Sequence, residues 1–182
     1  MTGAEGVLTE HSAADLRQLR LAGTDEPIPT LLEVLTEVGH RAMVHIELKI
    51  GAGEVGPLER RVHEILIDHN GPIAVIGFNP YSHAWFAQRH PDILRGLDSF
   101  SYSDDGSRKM AYEQRRAYAR LEHVAIAKPH FLALGMDMLP SARADEYRTD
   151  GMPVVAWTVR SPEEWARVRD HCDNLIFEGY AA

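Results

Sequence analysis

Val44-His-Ile-Glu-Leu-Lys-Ile50 is an apolar run that carries a carboxylate and an ammonium two residues apart. In a β-strand, side chains at i and i+2 point the same way, so Glu47 and Lys49 share a face, with His45 two residues before Glu47. Breaking a buried ion pair by removing one partner costs about 3–5 kcal/mol. The pair must therefore satisfy itself inside a core or hold something, and on the strand alone the two readings stand level. At the C-terminal end of a parallel strand, a Glu and a Lys would suit a metal ion and a phosphate.

Working outward, short runs rich in Val, Ile and Leu alternate with longer polar segments of helical period. Such alternation builds a parallel sheet from repeated strand and helix units. Six strands are predicted: Met43–Ile50, Ile73–Phe78, Ile93–Leu97, Val124–Lys128 (with an optional extension through Phe131–Leu134), Val154–Val159 and Asn174–Glu178. Helices are predicted between them at Val55–Asp68, Ser82–Arg89, Arg108–Glu122, Pro140–Thr149 and Pro162–His171. Ser161-Pro162-Glu163-Glu164 supplies an N-cap, a first-turn proline and two carboxylates at the positive end of the helix dipole. Thr149-Asp-Gly-Met-Pro153 reads as helix end, turn and strand start. Before residue 43 no strand is predicted; Thr9–Leu21 is amphipathic, and Thr30 opens a second helix. Nothing marks a linker or a repeat, so residues 1–182 read as a single domain.

Composition narrows the function classes. The chain has 182 residues, 45% hydrophobic and 25% charged, which is enough for one domain with a substantial core. A net charge of −8, with no basic cluster beyond Arg115-Arg116, argues against nucleic acid and against an anionic membrane surface. The one cysteine, Cys172, excludes an intramolecular disulfide and any multi-cysteine metal site. No stretch approaches the roughly 20 apolar residues that span a bilayer, and Met1-Thr-Gly-Ala-Glu5 lacks the features of a signal peptide. A cytoplasmic protein is the expectation.

Several stretches, in order along the chain, resemble the glycerophosphodiester phosphodiesterase family. Ile28-Pro-Thr-Leu-Leu-Glu33 is similar to a helix-opening segment of that family, and Ile46-Glu-Leu-Lys49 to its third strand. Gly77-Phe78-Asn-Pro80 resembles the phenylalanine segment that ends the next strand, where Ser-Phe is the commoner pair. Ala156-Trp-Thr-Val-Arg160 resembles a Trp-Thr-Val segment of the family, and Asp173-Asn-Leu-Ile-Phe-Glu-Gly179 the closing strand of one bacterial branch. The resemblance implies a (β/α)8 barrel with its site at the C-terminal ends of the strands. It also implies metal-dependent hydrolysis of glycerophosphodiesters to glycerol 3-phosphate and an alcohol, a reaction of phospholipid breakdown. Glu47 matches a ligand of the divalent metal, Mg²⁺ or Ca²⁺, Lys49 a residue facing the phosphate, and Trp157 an aromatic lining the pocket for the glycerol or alcohol group.

The family's His-Arg-Gly, Glu-x-Asp and His-Asp motifs find no counterpart, and with them go its acid and base histidines. Met1-Thr-Gly-Ala-Glu-Gly-Val-Leu8 resembles the loop that follows those motifs. The expected fold is thus a partial barrel without its first two strand-helix units, truncated at the N-terminus and inactive alone, with weak metal binding. No histidine takes over the missing roles by pattern: His45 could touch the site from the barrel interior, whereas His123, His130 and His171 read as surface or capping residues. Lys128 reads as a loop lysine within reach of a phosphate only if it ends a strand, Glu178 as either a pocket or a turn carboxylate, and Trp157 equally as core. Two alternatives stand beside hydrolysis. One is a non-catalytic barrel remnant that self-associates or pairs through open strand edges; the other is a metal-dependent barrel enzyme that uses Lys49 as a base.

Overall fold

Residues 2–50 and 54–181 are described in a computed structural model; Met1, which opens the glycine-loop resemblance, lies outside them. The chain begins with a short helix α1 (Ala13–Leu16) and a longer α2 (Leu31–Val38). Thr30 starts α2 through a reciprocal cap: its hydroxyl accepts from the Glu33 N–H while the Glu33 carboxylate accepts from the Thr30 N–H. A two-pronged Arg17–Glu33 bond ties α1 to it.

From there strand and helix alternate: β1 (Val44–Glu47), α3 (Pro57–Leu66), β2 (Ile73–Gly77), α4 (Pro80–Arg89), β3 (Leu94–Ser99), α5 (Tyr112–Ala119) and α6 (Val124–Ala127). There follow β4 (Phe131–Gly135), α7 (Ala142–Thr149), β5 (Val154–Val159), α8 (Pro162–Val168) and β6 (Asn174–Phe177). The six strands form one sheet in the order β1-β2-β3-β4-β5-β6, every neighbouring pair parallel. It curls into a half-barrel with helices outside, the partial (β/α)8 architecture read from the sequence. Among the described residues no helix is long and apolar enough to cross a membrane.

The outward face of the sheet carries the core, in two patches. Leu35, Ile46, Leu48, Val62, Val75 and Phe86 fill the space between β1, β2 and their helices. Leu97, Leu132, Leu134, Val154, Ala156 and Val168 do the same for β3 to β6. Facing inward at the base, Phe131 lies across Gly96, whose missing Cβ would fall 2.2 Å from the phenyl ring, and packs 5.5 Å from the His45 ring. These two rings floor the half-barrel.

The structure corrects the sequence reading at β4. Val124–Lys128 is not a strand: Val124–Ala127 is one helical turn, capped by Lys128 in the left-handed conformation, and the strand is Phe131–Gly135. The burial shows why, since Val124 and Ala127 are buried while Ala125 and Ile126 are exposed, a spacing of three that belongs to a helix. An apolar run of four residues carries too little period to separate the two. The helix expected over Arg108–Glu122 is likewise a 3₁₀ turn at Gly106–Lys109 followed by the shorter α5.

Candidate active site

The C-terminal ends of the strands open onto a cavity of about 420 Å³ lined by Glu47, Lys49, Ile76, Phe78, Asp98, Trp157, Thr158 and Ile176. The three residues singled out in the sequence, Glu47, Lys49 and Trp157, therefore meet in one place although the last is 108 positions from Lys49. Alternation along parallel strands aims them inward, and the register carries that phase across the sheet: Glu47 pairs with Ile76, and Gly135 with Trp157.

Lys49 Nζ lies 2.6 Å from Glu47 Oε1, but the pair is not the internal core pair the strand alone allowed. The Lys49 side chain is 77% exposed and that of Glu47 31%. Both stand at the mouth, because β1 ends at Glu47 and the chain leaves the sheet there. Trp157 forms the apolar wall; its indole Nε1 donates to the Ala133 carbonyl at 2.9 Å, and its ring meets Phe78 edge-on at 5.8 Å.

Asp98 was missed in the sequence. It is the inward-facing residue near the end of β3, only 5% exposed, and it receives no hydrogen bond from the described residues. Burial pushes its carboxyl up to about 8, with the negative charge of Glu47 adding and the positive charge of Lys49 opposing. The signal was present in Leu94-Arg-Gly-Leu-Asp-Ser99, where Asp98 falls in phase with Leu94 and Gly96, but the predicted strand stopped one residue short of it.

The remaining candidates lie elsewhere. Lys128 precedes β4, at the opposite end of the sheet from the cavity, where its carbonyl accepts from the Arg95 guanidinium. Glu178 is an exposed rim carboxylate paired with Arg160 at 3.2 Å. His123 holds the N-cap position of α6 but its side chain makes no capping bond; it is buried, 2% exposed, and stacks on Tyr118. His130 Nδ1 accepts from the Arg95 N–H. His45 sits at the floor, its imidazole held neutral-leaning by burial.

Two carboxylates, Glu47 and Asp98, are hard oxygen donors on one cavity. Among the described residues no group of three or more His, Cys, Asp or Glu gathers around a metal position. Such a donor set fits Mg²⁺, which keeps several waters and is commonly held by one or two carboxylates together with substrate phosphate.

No protein-family model and no curated protein sequence matches the chain. Solved structures do. An Oleispira antarctica phosphodiesterase in complex with the product sn-glycerol-3-phosphate superposes with a TM-score of 0.72 at 18% identity, over 96% of this chain and 69% of that one. A glycerophosphodiester phosphodiesterase from Thermotoga maritima gives 0.66 at 18% identity, over 97% and 70%. A Silicibacter pomeroyi protein named as a glycerophosphoryl diester phosphodiesterase gives 0.75 at 18% identity, over 97% and 68%. Nearly the whole chain thus has the fold of the glycerophosphodiester phosphodiesterases, over roughly seven tenths of their length.

Proposed function

We propose that the cavity binds a glycerophosphodiester and belongs to metal-dependent hydrolysis that yields glycerol 3-phosphate and an alcohol. The observation that carries this is the meeting of Glu47, Lys49 and Trp157 on one cavity at the C-terminal ends of parallel strands, where barrel enzymes place their sites. Lys49 offers its ammonium to the phosphate, and Trp157 with Phe78 offers an apolar wall to the glycerol or alcohol carbons. Glu47 would hold a divalent cation, Mg²⁺ or Ca²⁺, which when bound offsets phosphate charge. Among the described residues no histidine lines the cavity, so proton transfer to the leaving oxygen has no evident donor of that kind.

The 182-residue chain is therefore expected to bind and to hydrolyse little by itself. Calorimetric titration with sn-glycerol 3-phosphate and Mg²⁺ should show saturable binding that Lys49→Met and Trp157→Ala each weaken at least about tenfold, the size of one lost charged or aromatic contact. Release of glycerol 3-phosphate from glycerophosphocholine should stay near background. Absence of binding overturns the substrate assignment; Glu47-dependent turnover overturns the inactivity.

A second reading concerns assembly. Within the described residues β1 and β6 each have a single sheet neighbour; Met43, just before β1, and Phe177, the last residue of β6, are 47% and 49% exposed. Open edges with apolar flanks favour pairing with a second copy of the chain.

A further inference from the structure

We infer that Asp98 is the second carboxylate of a divalent-cation site shared with Glu47, an assignment that rests on the cavity being the substrate site and adds a ligand from a different strand. The observations concern what a buried acid does with its oxygens. Two acidic residues are buried among those described, Glu59 and Asp98. Glu59 is fully engaged: one oxygen accepts from the Gly56 N–H and the other from the Ser82 hydroxyl, both at 2.6 Å. Asp98 is 5% exposed, takes no hydrogen bond from the described residues and faces the cavity that Glu47 and Lys49 line.

The Asp98 carboxyl is largely withdrawn from water and takes no donor from the described residues, so its charged form is disfavoured in the empty cavity and a cation placed there would favour it. Other acids with structural tasks look different: Asp104 accepts from Ser107, Asp137 from the Ser101 N–H, and Asp173 from Arg148 and the Val154 N–H. Among the described residues, the one cation lining the cavity is the Lys49 ammonium, and it already leans on Glu47. Positive charge is thus favoured at the place the two carboxylates flank. A hard divalent ion meets that demand, with waters and phosphate oxygens filling its other positions. Its binding leaves the Lys49 ammonium available to the substrate phosphate.

Terbium(III) is a fitting probe, since Trp157 on the same cavity can transfer excitation to it. Titration of the full chain should give saturable Tb³⁺ emission that Mg²⁺ or Ca²⁺ displaces. Asp98→Asn and Glu47→Gln should each raise the dissociation constant at least tenfold, and Glu178→Gln, a rim carboxylate outside the cavity, should leave it unchanged. Trp157→Phe should dim the emission. Circular dichroism and a melt no lower than wild type would show that Asp98→Asn still folds. Wild-type affinity in Asp98→Asn, or no displaceable emission in the unaltered chain, overturns the assignment. Asp98-dependent cation binding without sn-glycerol 3-phosphate binding keeps it and overturns only the substrate reading.

Discussion

Asp98 is the residue on which structure and sequence diverge most, and its environment gives it a distinct pH signature. Its ordinary value is 3.8, and in the fold it stands at about 8. Between those pH values the unfolded chain has released this proton while the folded chain keeps it, so the folded state loses stability as pH rises and levels off above about 8. In a chelator-containing buffer, melting temperatures of wild type and Asp98→Asn should be close at pH 5 and separate toward pH 8, with the asparagine variant higher. Parallel curves would show that the carboxyl does not sit protonated in the cavity. The same position explains what was legible: a charge in an apolar strand was informative at Glu47 because the strand visibly ran past it. At Asp98 the following Ser99-Phe-Ser-Tyr-Ser103 reads as loop, and the phase was cut off just before the carboxylate.

The strands with strong alternation or with a family resemblance, β1, β2, β5 and β6, were readable to within a few residues at each end. The region between β3 and β4 was not, since α5 buries none of its residues, α6 is a single turn, and the placement of both depends on tertiary contacts. Those contacts include a histidine pair at the meeting of α4 and α6. His83, 1% exposed, donates from Nε2 to the Gly77 carbonyl at 2.9 Å, and neither ring nitrogen of His123 has a partner among the described residues. Burial brings both down to about 4, and each is neutral in the fold. As pH falls from 6.5 toward 4 the unfolded chain takes up protons the folded chain refuses, so stability drops by about 1.4 kcal/mol per pH unit for each histidine that titrates. Urea melts at pH 7 and pH 5 should show that loss, and His123→Leu should make it shallower by one proton's worth. An unchanged slope in the variant would place the acid sensitivity elsewhere.

Across the whole molecule, the half-barrel leaves a sheet with two ends. Sedimentation velocity over a range of micromolar concentrations should show mass increasing with concentration, and Phe177→Lys, which sets a charge beside the β6 edge, should reduce it. A single monomeric species at every concentration would mean that the edges are protected by their own twist and short length. The sheet order has a further consequence, for how the chain finds its shape. Because each strand neighbours only the one before and the one after it in the sequence, every ladder closes over a few tens of residues and none waits for the termini to meet. Loop-closure entropy grows only logarithmically with length, so no single pairing dominates the folding barrier. Acquisition of structure can run as serial accretion, each newly made strand finding its template already in place, in the direction in which the polypeptide is synthesised.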